Sequence, residues 1–136
     1  MVYAHNTAAG HHDTARDWWQ TAARGPEVIG VPWVVVLAFV RLLSSPRVVP
    51  NPARASVLMA IMEEILLLPA VKPAVPGSRH ASIMKRLFEE SGGTGRLATD
   101  VHIAALALEF DATVATNDTD FSRFAGLKIV NPLLPD

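Results

Sequence analysis

The hydrophobic pattern of residues 11–90 is mostly helical. Apolar side chains recur at three- and four-residue spacing over residues 11–24, and Gly25 ends this pattern. Residues 32–43 form a strongly apolar run that we predict to be a helix, although its successive valines leave a strand as the alternative. Two further helices are predicted, over residues 52–68 with Asn51 as cap, and over residues 78–90 with Ser78 as cap.

Short β-prone segments alternate with the helices. They occupy residues 27–30, 72–75, 113–116 and 127–130. This alternation favours an α/β fold in which helices flank a mainly parallel sheet. A chain of 136 residues can bury a substantial core, and we predict a single domain over residues 1–136.

Composition narrows the class of protein. Half of the residues are hydrophobic and 18% are charged, which predicts a folded chain with enough apolar surface for a homodimer or a bound partner peptide. The net charge of −1 gives no global basicity for nucleic acid binding. The absence of cysteine excludes disulfides and thiolate metal sites, so a reducing cytoplasm is expected. No signal peptide is recognisable, and no apolar run is long enough to span a membrane.

Two carboxylates in the last third are predicted to meet. A helix over residues 100–110, capped by Thr99, opens with Asp100, and the strand at residues 113–116 leads into the turn containing Asp118. The helix measures roughly 16 Å at about 1.5 Å per residue, and the strand returns antiparallel to it over a similar length. Asp100 and Asp118 should therefore meet at the sheet edge where α/β proteins bind ligands.

Each acid also has a simpler interpretation. Asp100 alone would favour its helix dipole by about 0.3–1 kcal/mol, and Asn117 and Asp118 are ordinary turn residues. Paired carboxylates, however, repel unless a cation joins them, and oxygen ligands without cysteine indicate Mg²⁺ or Mn²⁺. Such an ion polarises phosphoryl oxygens and activates water, so the predicted reaction is metal-assisted phosphodiester hydrolysis.

Three segments carry a family resemblance. They are "ATDVHIAALALEFDATVAT" at residues 98–116, "TNDTDF" at residues 116–121 and "FSRFAGLKIVNPL" at residues 121–133. With them the chain resembles the PIN-domain ribonucleases, and among these the VapC toxins of bacterial VapBC toxin–antitoxin systems. The resemblance implies a three-layer α/β/α fold, a Mg²⁺- or Mn²⁺-dependent endoribonuclease acting on RNA, and neutralisation by a VapB-type antitoxin.

The resemblance also assigns residues. It implies that Asp100 and Asp118 are catalytic metal ligands, that Asp120 is a third, supporting acid, and that Thr116 orders the site by hydrogen bonding. Two departures from the family pattern follow. Ala38 stands where many members carry a glutamate, although the VapC subfamily that the chain resembles also often lacks that acid. The first family acid belongs to an opening strand that would precede Met1.

Three explanations of the second departure remain open: a start assigned too far downstream, a fragment, or a decayed toxin. The last leaves an alternative function, a catalytically impaired PIN-like module that only binds an antitoxin or dimerises.

Other candidates are weaker. Arg41 and Arg123 are expected to contact substrate phosphates, and Arg79, His80 and Arg96 are less favoured candidates for the same role. His102 is expected to be a packing or supporting residue and not a ligand. The apolar run over residues 56–75 is predicted to be core, with a dimer or antitoxin groove as the alternative.

Overall fold

A computed structural model describes residues 11–134 and divides the backbone into two units, Met1–Ala74 and Val75–Asp136. The first unit contains, in order, α1 (His12–Arg24), β1 (Ile29–Pro32), α2 (Trp33–Leu43), α3 (Ala55–Leu66) and β2 (Val71–Ala74). The second contains α4 (His80–Glu90), a 3-10 turn (Gly95–Leu97), α5 (Ala98–Glu109), β3 (Thr113–Ala115), a 3-10 turn (Thr119–Arg123) and β4 (Lys128–Val130). The single domain predicted over residues 1–136 stays a prediction.

The first unit is built on one parallel strand pair. β1 and β2 pair with Ile29 opposite Val71. Helix α2 buries Val36, Phe39 and Leu43, which recur at the spacing of one helix face, so the helical prediction for residues 32–43 is confirmed and the strand alternative is wrong.

The second unit is also built on a parallel pair. β3 and β4 pair with Thr113 opposite Lys128. Helix α5 is covered on most sides, as its apolar sequence predicts, and it forms a core with residues from α4 and the acidic turn. This α5 core comprises Leu87, Leu97, Val101, Ala104, Ala105, Phe121 and Phe124. Both strand pairs agree with the predicted α/β class and its parallel strands.

The three predicted helix caps are wrong, because other contacts fix where these helices begin. Helix α3 begins at Ala55 and not after Asn51, since the amide of Ala53 donates a hydrogen bond to the carbonyl of Leu43 and keeps this segment extended. Thr99 lies inside α5, because the preceding 3-10 turn runs directly into the helix at Ala98.

Helix α4 begins at His80 and not after Ser78. The acceptor for the free amides near its start is a carboxylate from a distant part of the chain, Glu109 at the end of α5. A cap of this kind depends on the tertiary structure, so the local sequence does not reveal it.

Candidate active site

Two acids of the candidate site are held by the hydrophobic residues that follow them. Asp100 precedes Val101, which is fully buried, and Asp120 precedes Phe121, which is 4% exposed. Val101 and Phe121 pack in the same α5 core. Burial of these two neighbours therefore fixes the backbone at both acids and leaves the carboxylates at the margin of one core.

The acidic turn is organised by its own side chains. Thr116 Oγ1 accepts the amide hydrogen of Asp118 at 3.0 Å, and Asp118 Oδ1 accepts the amide hydrogen of Asp120 at 2.9 Å. Asp118 thereby caps the 3-10 turn Thr119–Arg123. Asp118 is therefore a turn residue, as its simpler interpretation predicts. The turn uses one oxygen of its carboxylate, Oδ1, as a hydrogen-bond acceptor. The second oxygen makes none of the hydrogen bonds found within residues 11–134.

Arg123 bonds to Asp120, three positions before it. The guanidinium Nη2 lies 2.7 Å from Asp120 Oδ1, and Nε donates to the Asp120 carbonyl at 3.0 Å. Both side chains remain partly exposed, so the pair contributes little to stability but neutralises one negative charge of the turn. The predicted contact between Arg123 and substrate phosphate stays a prediction.

The electrostatics show that Asp118 and Asp120 act on Asp100. Burial raises the pKa of Asp100 above its usual range, the negative charges of Asp118 and Asp120 raise it further, and Arg123 opposes the shift. The structure therefore brings Asp100, Asp118 and Asp120 into one charged neighbourhood. An excess of negative charge with oxygen donors is the environment that a hard divalent cation relieves.

The donor set fits an open metal site better than a closed one. Within residues 11–134 no group of three or more histidine or acidic side chains is arranged to hold a metal ion. Mg²⁺ commonly uses only one or two carboxylates, with waters and substrate phosphates as its other ligands. Asp100 and Asp118 suit that kind of coordination, and Asp120 is occupied by Arg123.

The other predicted site residues lie apart from these acids in the chain. Arg41 is exposed in the last turn of α2, in the unit Met1–Ala74, and its substrate contact stays a prediction. Ala38 lies partly buried in the same helix and supplies no acid.

A polar network between α4 and α5 was not predicted from the sequence. His80 is 7% exposed, and its Nε2 lies 2.9 Å from Nδ1 of His102. The carboxylate of Glu109 accepts the amide hydrogens of Gly77 and Arg79 at 2.9 and 3.0 Å, and Arg79 Nη2 donates back to the Glu109 carbonyl at 2.9 Å. The weaker prediction that His80 contacts phosphate is wrong, because its ring is buried against α5.

The charges of this network are also defined. Hydrogen bonds from Gly77 and then Arg79, together with the positive charges of His80 and Arg79, lower the pKa of Glu109 against the opposing effect of burial. Burial and then the charge of His80 lower the pKa of His102. One sequence signal could have revealed the network, since His102 and Glu109 are seven positions apart and share a face of an otherwise apolar helix.

The run over residues 56–75 provides both core and surface. Leu58, Met62 and Ile65 of α3 are buried, as predicted. A groove beside them is lined by Trp33, Met59, Leu66 and Leu67, with Glu63 as its charged member.

Among the helices of residues 11–134, none has the length and apolar character needed to cross a membrane.

Comparisons with known proteins confirm the family resemblance. A family model described as the PIN domain matches residues 1–127. The chain is 36% identical over 133 residues to ribonuclease VapC33 of Mycobacterium tuberculosis, which covers 98% of this chain and 93% of the relative. It is 34% identical over 132 residues to ribonuclease VapC37 of the same organism, covering 97% and 92%.

These matches confirm the predicted fold class, a PIN-like α/β/α arrangement with parallel strands. The chain belongs to the PIN domain family, among the VapC ribonucleases.

Proposed function

We propose that this chain is a Mg²⁺- or Mn²⁺-dependent endoribonuclease toxin that hydrolyses RNA phosphodiester bonds in the cytoplasm. The observation that carries the proposal is the raised pKa of Asp100, which burial and the charges of Asp118 and Asp120 produce together. The relatives named above are ribonucleases, and their similarity over nearly the full chain supports the same class of reaction here.

Asp100 and Asp118 would hold the cation, each through carboxylate oxygen. When bound, the ion supplies Lewis acidity at a phosphoryl oxygen and lowers the pKa of a water molecule. Thr116 holds the Asp118 backbone, and Asp118 in turn holds the Asp120 amide, so little reorganisation is needed before substrate binds. Arg123 offsets the charge of Asp120 and reduces its repulsion of the scissile phosphate.

RNA would be held by local arginines, because the chain has a net charge of −1 and no global attraction for phosphate. Arg123 is partly exposed beside the acids, and it is the first candidate for this contact. Arg41 is proposed as a second contact, through its exposed guanidinium at the end of α2.

The antitoxin partner would be of the VapB type. The groove lined by Trp33, Met59, Leu66 and Leu67 presents apolar surface with an acidic residue, Glu63, in its lining. An apolar segment carrying a basic side chain would complement it. A homodimer through the same surface is the other arrangement that this apolar face allows.

The test is cleavage of a structured RNA by the purified chain with Mn²⁺ present, with and without EDTA. Asp118→Asn should abolish cleavage, because it removes a negative charge and one ligand oxygen. Asp111→Asn is the matched control, since its carboxylate is 89% exposed, pairs with Lys128 and lies outside the acidic turn. Asn also tolerates the positive φ of 52° found at this position. Cleavage by Asp118→Asn at the wild-type rate would refute the assignment.

A binding module without full activity is the second candidate. It is favoured by Ala38, which offers no carboxylate, and by the lack of a three-acid metal group within residues 11–134. This alternative predicts that the wild-type chain binds the antitoxin but cleaves no RNA at any Mn²⁺ concentration. Mn²⁺-dependent cleavage that EDTA stops would exclude it.

A further inference from the structure

We propose that His80, His102 and Glu109 form a positioning clamp that fixes the rotation and axial register of α5 and thereby holds Asp100 in the active site. The proposal rests on the proposed ribonuclease function, because that function gives the position of Asp100 its importance. None of the three residues is proposed to touch RNA or metal.

His80 contacts α5 at two points. Its Nε2 lies 2.9 Å from Nδ1 of His102, and its Nδ1 lies 3.6 Å from Oε2 of Glu109. His102 and Glu109 are separated by two helical turns on one face of α5. The ring of His80 is buried, so the contacts are shielded from competition by water.

The bond between the two rings depends on how each ring is oriented. Glu109 is an acceptor only, so it favours a proton on Nδ1 of His80. The 2.9 Å bond needs one of the two ring nitrogens, Nε2 of His80 or Nδ1 of His102, as donor and the other as acceptor. The bond is lost if either ring turns.

Glu109 is itself fixed by the backbone before α4. Its two oxygens accept from the amides of Gly77 and Arg79, one hydrogen bond each. A Cβ at Gly77 would overlap Oε1 of Glu109 and lie 3.0 Å from its Cδ, so the absence of a side chain there permits the close approach. Arg79 completes the connection by donating to the Glu109 carbonyl at the end of α5.

The clamp adds to the burial of Val101 in fixing the start of α5. The helix has no side-chain cap, and Asp100 lies in its first turn. Its buried surface includes Ala104, Ala105 and Ala107, whose short side chains interlock weakly with neighbours and resist rotation or sliding less than larger ones. Asp100 lies two positions before His102, about 200° away around the helix. Rotation of α5 that breaks the His102 contact therefore moves Asp100 as well.

The experiment compares His80→Leu with His80→Gln. Leucine fills similar space but removes the hydrogen bond, whereas glutamine places a donor or acceptor near the position of Nε2. We expect His80→Leu to weaken Mn²⁺ binding about tenfold by calorimetry without RNA. It should also lower kcat about 100-fold and leave KM for RNA within about twofold of wild type. His80→Gln should restore most of the Mn²⁺ affinity and most of kcat.

Two results would overturn the clamp. One is a folded His80→Leu variant with wild-type Mn²⁺ affinity, and the other is equal impairment of the leucine and glutamine variants. If His80→Leu does not fold, His102→Leu takes its place, because it removes the same hydrogen bond at a less buried residue. Wild-type Mn²⁺ affinity in a folded His102→Leu variant would likewise overturn the clamp.

The proposed function is judged separately, by RNA cleavage in the wild type and its loss in Asp100→Asn. Should wild type fail to cleave, the ribonuclease proposal fails, and the Mn²⁺ affinities still decide whether the clamp exists.

Discussion

Truncating Phe121 to alanine should separate the acidic turn from α5. Phe121 follows Asp120 directly, is 4% exposed, and stacks edge-on against Phe124 with ring centroids 6.0 Å apart. A phenylalanine that buries about 200 Å² contributes at most about 5 kcal/mol at about 25 cal/mol/Å². Core truncations of this type cost about 3–5 kcal/mol, and the aromatic pair accounts for about 0.5–1.5 kcal/mol of that.

The matched control is Phe110→Ala. Phe110 lies in the same unit but is 57% exposed, so its truncation should cost no more than about 1–2 kcal/mol. For a chain of this length each kcal/mol corresponds to about 4 °C in Tm, so Phe121→Ala should lower Tm by about 12–20 °C. A loss of that size is a large part of the free energy of unfolding of an ordinary domain, about 5–15 kcal/mol.

The assay must report on the second unit. All three tryptophans, Trp18, Trp19 and Trp33, lie in residues 1–74, so fluorescence reports mainly on the other unit. Urea unfolding followed by far-UV circular dichroism should be combined with hydrogen exchange of peptides from residues 98–124. Equal destabilisation by the two alanine variants, or a loss below about 1 kcal/mol for Phe121→Ala, would refute this account of how the turn is held.

Three further predictions concern charge. The pKa of Asp100 is higher in the folded chain than in the unfolded chain, so ionisation of Asp100 destabilises the fold as pH rises through the folded pKa. Asp100→Asn should therefore raise Tm at pH 7. The same variant should abolish the stabilisation by Mn²⁺ in a thermal shift assay. Arg123→Met removes an exposed ion pair with Asp120, so the free energy of unfolding should change by less than about 1 kcal/mol, while carboxyl NMR titration should show the pKa of Asp100 rising further. Folding lowers the pKa of Glu109, so the ionised carboxylate stabilises the fold above its unfolded pKa, and this stabilisation is lost as pH falls through the folded pKa. Acid unfolding of Glu109→Gln should therefore lack this loss of stability. An unchanged pH dependence in that variant would contradict the prediction.

Sequence reasoning succeeded where the determining chemistry is local. The apolar residues around Asp100 predict a buried helix without any knowledge of its neighbours, and helix α5 is found there. The turn at Asp118 is equally local, because threonine and aspartate side chains bond to backbone amides two residues away.

It failed where the partner is distant in sequence. Ser78 is a reasonable cap by composition, but Glu109 provides the acceptor from about thirty residues further along the chain. The expected phosphate contact of His80 is wrong because nothing near this residue in sequence indicates His102 as its partner. The pair of Arg123 with Asp120 is local, and its three-residue spacing could have predicted it, whereas the phosphate contact of Arg123 stays a prediction.

The cover of α5 has a consequence for biosynthesis. This helix has five buried residues, and two of the side chains that cover it, Phe121 and Phe124, are translated after it. A nascent chain that ends before Phe121 would expose the apolar surface of α5 and would lack the neighbour that holds Asp120 in place. Interrupted synthesis should therefore yield a product that is prone to aggregation and sensitive to proteases, because Phe121 and Phe124 complete the burial of α5.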